Sequence, residues 1–226
     1  VWFVDCFTAA WITLPGKRPF WRQWKKSWQL KLNSSRHRLN FDLHRAGGLW
    51  LWIVFVALAI SGVSFNLNPE VFSPVLNSIS SITPAPVGSA VISDAGAAQS
   101  RDYLSFDVAR EIASEQAEIR SWKAPSALFH SLATGVYVIS FDPSQYGRSY
   151  GLGSPLLFLD DRSGEILQVQ VPGGGTLGDT IAQIQLPLHH GIIAGLPGKI
   201  LIAISGVAVA VLSTTGLIIW RRKLKA

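Results

Sequence analysis

Methionine is absent from this chain and cysteine occurs once, at Cys6. One cysteine cannot close an internal disulfide, so no disulfide framework holds the fold and cysteine usage is silent on redox compartment. Charge is scarce as well, at 15% of residues, against about 25% in ordinary soluble domains. The spacings of a Ser-His-Asp site, a phosphate-binding glycine loop and a zinc site are all missing, which leaves no pattern for hydrolytic, nucleotide or zinc chemistry. What fills the space is apolar, with hydrophobic residues making up 48% of 226 positions. That length suits one or two domains.

Two uncharged runs stand out, Ala46 to Phe65 over 20 residues and Ile200 to Trp220 over 21 residues. A hydrocarbon core of about 30 Å needs about 20 helical residues, so each run is long enough to span it. His44 lies just ahead of the first run, and His189 and His190 precede the second. Neither run contains an ionisable residue, which argues against a transporter with charged groups inside its spans.

The net charge of +6 is unevenly spread. From Lys17 to Arg45 there are nine basic residues and one acid, Asp42, and Arg221, Arg222, Lys223 and Lys225 follow the second run. Asn66 to Leu188 holds six basic and twelve acidic residues. Basic residues near membrane ends stay in the cytoplasm. Both spans therefore place the basic stretch and the tail inside, and residues 66–188 outside. A stretch tied to the bilayer in this way is a topology signal, and no nucleic-acid partner is expected.

Val1 to Pro15 is apolar, has no initiator Met and lacks the basic start and small-residue cleavage site of a signal peptide. It reads as the end of an earlier helix, with the chain being the C-terminal part of a longer protein. Trp21, Trp24 and Trp28 then share one face of a helix, with Arg22, Lys25 and Lys26 off it. That mixture predicts a helix lying in the headgroup zone. After Phe65 an irregular connector leads to a helix over Ser105–Ala117, with Ser105 as N-cap. Three strands follow, Val136–Phe141, Pro155–Leu159 and Glu165–Val171, separated by the turn-forming DPSQYGRSYG and DDRSG. Pro187 suits the first turn of a short helix, PLHHGIIA, which Gly195-Leu-Pro197-Gly198 would interrupt.

LNFDLHRAGGLW, PLHHGIIAGLPGK and TTGLIIWRRK resemble the PepSY-associated transmembrane (PepSY-TM) family. The opening DCFTAAWITLP is similar to the end of an earlier helix of that family, and the segment from about Tyr103 to Val171 is similar to a PepSY module. The resemblance covers nearly the whole chain and is most specific at DLHR and LHxG. It implies an integral membrane α-helical bundle, with two full spans plus the end of a truncated earlier span, and an inserted periplasmic α+β PepSY-like domain. The expected order is 1–15 end of a truncated transmembrane helix, 16–42 cytoplasmic interfacial segment, 43–67 transmembrane helix and 68–102 periplasmic connector. Then come 103–172 PepSY-like domain, 173–186 linker, 187–195 interfacial helix, 196–221 transmembrane helix and 222–226 cytoplasmic tail.

The resemblance also implies a function. Some relatives sit in the bacterial inner membrane, bind two b-type haems and reduce ferric siderophores at the periplasmic face. The family histidines map onto His44 and His189, and His190 takes the x position of LHxG. A bis-His site gives an electron-transferring haem. His44 and His189 are about 30 Å apart across the hydrocarbon core, so they cannot share one haem. Adjacent helical residues point about 100° apart, so His189 is the candidate ligand and His190 a neighbouring or substrate-facing group. Without the resemblance, a histidine at a span end reads as a headgroup anchor before it reads as a ligand. Expected partners are the lipid bilayer, a ferric siderophore or chelate, and an electron donor the sequence does not identify. The alternative is a non-enzymatic module whose PepSY domain binds a periplasmic partner such as a peptidase. Gly47, Gly48, Gly62, Gly206 and Gly216 would admit a porphyrin or a packed helix equally well. His37 is expected in solvent, His130 in a structural role ahead of a strand, and Asp160–Asp161 in a turn.

Overall fold

The two apolar runs take different forms in the computed structural model, which describes residues 2–86, 102–142 and 152–225. The chain divides into two units, Val1–Asn68 with Leu188–Ala226, and Pro69–Pro187.

The first unit is helical. α1 (Trp2–Trp11) is followed by α2 (Phe20–Trp24) and a 3-10 turn over Lys25–Trp28. The tryptophan face forms on this shorter scaffold, with Trp21 and Trp24 rings 5.6 Å apart and Trp24 and Trp28 rings 5.4 Å apart. Ser35 starts α3 (Arg36–Trp50) by accepting a hydrogen bond from the Arg38 N–H. α4 (Trp52–Asn66) continues from it, but the two meet at 64°. The bend falls at Leu51, whose φ of −103° and ψ of 8° leave the helical well. Gly47 and Gly48 just upstream weaken the helix there. The first run, expected as one transmembrane helix over 43–67, is thus carried on a bent pair.

The second run lies in α8 (Gly195–Lys223), 29 residues long. At 1.5 Å per residue it extends about 43 Å, more than a bilayer core requires. Among the described residues, α8 qualifies as a span by itself, and the bent pair qualifies only if it counts as one. α3 lies along α8 and α1 against α4. Cys6, Phe55 and Ala59 form the contact, with Leu51, Val56, Ala208 and Leu212 around them. The outward faces are apolar too: Ile53 is 76% exposed and Val207 67%. Helices this apolar on their outer faces match a lipid surrounding rather than water.

In the second unit, Asn68–Phe72 forms a π-helical turn and α5 (Ser73–Asn77) follows, where an irregular connector was expected. The rest of that connector, from residue 87 to 101, lies outside the described residues. α6 (Phe106–Ile119) is capped by Ser105 as expected. It covers an antiparallel sheet in the order β1-β2-β3-β4, made of Pro125–Ser131, Val136–Phe141, Leu156–Asp160 and Ile166–Gln170. Ala109, Ala113 and Ala117 pack on Tyr137, Ile139, Phe141, Leu157 and Leu159. Small alanines let the helix come close while the sheet supplies the large side chains.

β1 is a strand the periodicity did not show. PSALFHS lacks clean alternation, because β1 is an edge strand with a register shift between Pro125 and Ala127. His130 therefore lies on a strand rather than ahead of one. The β3–β4 turn is set by Asp160, whose carboxylate accepts from the N–H of Ser163 at 2.8 Å and of Arg162 at 3.0 Å. Those N–H bonds, Ser163's foremost, hold its carboxyl below the usual range. The segment DPSQYGRSYG falls mostly outside the described residues.

Residues 173–195 depart most from expectation. α7 (Leu177–His189) occupies most of the expected 173–186 linker, and Pro187 sits in its last turn rather than in a first turn. The reason is an upstream cap. Thr176 Oγ1 accepts from the Asp179 N–H at 3.0 Å and the Asp179 carboxylate accepts from the Thr176 N–H at 2.9 Å, a reciprocal box that starts the helix there. In place of the expected 187–195 helix, α7 ends at His189, Gly191 turns left-handed at φ +70°, and Ile192–Ala194 makes a 3-10 turn. Gly195-Leu-Pro197-Gly198 forms the first turn of α8 instead of interrupting a helix, a place where proline removes no needed donor.

Candidate functional site

His44 projects from α3 against α8. Its Nδ1 lies 3.0 Å from the Leu212 carbonyl and 3.0 Å from Thr215 Oγ1. A carbonyl only accepts, so Nδ1 carries the proton, and in the neutral form of such a ring the lone pair lies on Nε2. Nε2 has no hydrogen-bond partner among the described residues. Gly216 makes this pose possible, since a Cβ there would stand 3.0 Å from His44 Cε1. The ring borders a cavity of about 480 Å³ whose walls include Cys6, Ala9, Gly48, Trp52, Phe55 and Leu212. That volume falls within the range of about 300–1,000 Å³ usual for small-molecule sites.

The next turn of charge belongs to the same helix. Asp42 is fully buried, with Arg38 Nε at 3.2 Å and Arg45 Nη2 at 2.9 Å on either side. Arg45 Nη2 also donates to the Lys26 carbonyl at 3.0 Å. Removing Asp42 would leave the Arg45 guanidinium, only 19% exposed, without its carboxylate and beside Arg38.

His189, at the end of α7, repeats the arrangement of His44. Ser61 Oγ lies 2.7 Å from His189 Nδ1 and 3.0 Å from the Leu58 carbonyl, so the hydroxyl ties the ring to α4. Nε2 is again left without a partner among the described residues. Phe65 meets the ring edge-on at 5.3 Å. His190 is exposed, its ring 6.2 Å from that of His189. Two residues on, Gly191 packs against Gly198 at the start of α8, where a Cβ would be 2.5 Å from the Gly198 carbonyl oxygen. Thr215, which holds His44, is 17 residues further along α8. The two imidazoles are thus about 25 Å apart along one helix, each fixed through Nδ1 to a neighbouring helix.

The remaining histidines do other things. His37 is exposed. His130 Nε2 lies 2.9 Å from Asp161 Oδ2, with side chains 6% and 12% exposed. Tyr137 stacks on His130 at 4.2 Å and Tyr103 meets it edge-on at 4.9 Å. Burial, then the Asp161 carboxylate and Tyr103, push the Tyr137 phenol up. Asp161 therefore belongs to this packed pair, while Asp160 alone makes the turn.

Among the described residues no three His, Cys, Asp or Glu side chains converge on a metal position. Haem asks the protein only for axial donors, and a neutral imidazole whose second nitrogen donates to a carbonyl or hydroxyl suits that task. His44, with no hydrogen-bond partner at Nε2 among the described residues and a largely apolar cavity beside it, fits such a group. His189 matches it in donor chemistry. Of the small residues read from sequence, Gly216 touches His44, Gly47 meets Leu212 at 3.7 Å, and Gly48 lines the cavity. Gly62 and Gly206 face no atom within 4 Å. The anchors Thr215 and Ser61 were not legible as site residues, because a hydroxyl in an apolar helix ordinarily bonds its own backbone.

The family model described as the PepSY-associated TM region matches residues 1–223. No curated protein matches the chain.

Proposed function

This chain belongs to the PepSY-associated TM family, and from that premise we propose that it is an inner-membrane haem module passing electrons outward to a ferric siderophore or chelate. The observation that carries the reading is the matched pair of imidazoles. His44 and His189 are each held through Nδ1, with no hydrogen-bond partner at Nε2 among the described residues, toward opposite ends of α8. By the distribution of basic residues, His44 faces the cytoplasmic side and His189 the periplasmic side.

Bound haem supplies reversible one-electron transfer. The chain's own residues orient and shield. Leu212 and Thr215 fix the His44 ring so that Nε2 keeps one direction, and Ser61 does the same for His189. Trp52, Phe55 and Leu212 give the cavity beside His44 an apolar wall. Each histidine would hold the iron of its own haem, so the reading calls for two haems, one per leaflet.

The test is a reduced-minus-oxidised visible spectrum of the protein in mild detergent with haem supplied, beside His44→Ala and His189→Ala. b-type haem bands that weaken by about half in each variant support the reading. A featureless spectrum in all three would sink it.

The second reading is a non-enzymatic module that binds a periplasmic partner such as a peptidase. It draws on β1, an edge strand of the sheet among the described residues, whose Phe129 is 64% exposed; an edge of this kind accepts an added strand. Under that reading the histidine variants leave function intact.

A further inference from the structure

We infer that Arg45 anchors a carboxylate of the ligand in the His44 cavity, an inference that rests on the proposal that this ligand is haem. Arg45 follows His44 on α3 and lines the same cavity. Its Nη2 is committed to Asp42 and to the Lys26 carbonyl. Nε is buried with no partner, and Nη1 has none among the described residues. The side chain is only 19% exposed, with Cζ 5.4 Å from the Phe41 ring.

Charge points the same way. Arg38 and Arg45 face one buried carboxylate, Asp42, so the cluster carries one surplus positive charge beside an apolar cavity. A poorly solvated guanidinium with unused donors is stabilised by an anion, and its planar fork matches a carboxylate. The cavity's other charged wall is Asp5, on α1, which repels an anion and leaves the Arg45 side as the favoured place for it. Haem carries its two propionates on one edge of a planar ring. A ring ligated by His44 Nε2 that presents that edge to Arg45 satisfies both groups at once.

The experiment titrates the protein, in a His189→Ala background so that only the His44 site responds, with haem and with haem dimethyl ester, which lacks the carboxylates. Soret absorbance reads binding. The parent is expected to prefer haem over the ester by about ten- to hundred-fold, the worth of a charge-assisted hydrogen bond. Arg45→Gln should bind both alike, near the affinity of the ester for the parent, and Arg45→Lys should keep part of the preference. Unchanged ester affinity in Arg45→Gln shows that the cavity and His44 remain in place. Should Arg45→Gln fail to fold, the parent comparison and Arg45→Lys still decide. Equal affinity of the parent for the two ligands, or a preference retained in Arg45→Gln, overturns the role of Arg45 while haem binding stands. No Soret band with either ligand overturns the haem reading and this inference with it.

Discussion

Gly216 offers the sharpest perturbation of the His44 pose, because it changes space without removing a donor or acceptor. An alanine Cβ at this position would stand 3.0 Å from His44 Cε1 and 3.6 Å from Nδ1. Carbon atoms settle at about 3.5–4.0 Å, so the ring must retreat by a few tenths of an ångström. Nδ1 starts at 3.0 Å from both Leu212 O and Thr215 Oγ1. A retreat of that size takes it toward the roughly 3.5 Å edge of hydrogen bonding, weakening bonds worth about 0.5–1.5 kcal/mol each. Replacing a helical glycine by alanine returns about 1 kcal/mol of helix propensity. The two effects nearly cancel, so Gly216→Ala should unfold at close to the parent temperature while its imidazole loses definition. Gly216→Val adds two methyls beyond Cβ and should displace the ring outright. ¹⁵N NMR of histidine-labelled protein in micelles, assigned with His44→Gln, reads the tautomer directly. The parent should show neutral His44 protonated at Nδ1, Gly216→Ala a mixture, and Gly216→Val no such signal. Haem affinity at this site should drop by about 10–100-fold in Gly216→Val, as when a partner orienting a ligand is lost. An undisturbed Nδ1–H signal in Gly216→Val would refute the argument that Gly216 positions the ring.

Two further outcomes concern the second unit. Burial pushes the Asp179 carboxyl up, but N–H and hydroxyl bonds from Thr176 and Thr83 outweigh it, so it titrates below the usual range. A depressed folded pKa gives stability that is present above the unfolded value of about 3.9 and lost as pH falls through the folded value. Asp179→Ala should therefore cost roughly 1.5–3 kcal/mol at neutral pH and flatten the acid side of the stability profile, as read by thermal unfolding at pH 7 and pH 3. Gly164→Ala forces φ +71° on a residue with a Cβ, 2.8 Å from Ile112 Cδ1 and 3.1 Å from Leu104 Cδ1. It should destabilise by about 1–2 kcal/mol, and an unchanged unfolding temperature would contradict the left-handed turn.

Much of the architecture was legible along the chain. β2 was read to the residue and β3 and β4 to within one, since β2 and β3 are dense apolar runs and β4 alternates apolar and polar residues, each bounded by turn formers. Ser105 was visible as a cap because capping is local. β1 was hidden because an edge strand buries too little to enforce alternation. α7 was hidden because Pro187 looks like a start, while the Thr176–Asp179 box that starts the helix sits among turn-like residues.

The histidines themselves were found by position, ahead of apolar runs. Their anchors were not, since Thr215 lies 171 residues from His44 and Ser61 lies 128 from His189. By itself the sequence determined that the protein is apolar enough for a membrane, how its charge is divided, and which family it belongs to. Those properties are sums and local patterns over neighbouring residues. Only the tertiary structure decided that the first run bends at Leu51, that His44 and His189 each lock their Nδ1 against another helix, and that Arg45 keeps donors unspent beside a cavity. Each of these depends on which helix faces which, and burial and hydrogen bonding between distant segments are settled only when the chain is packed.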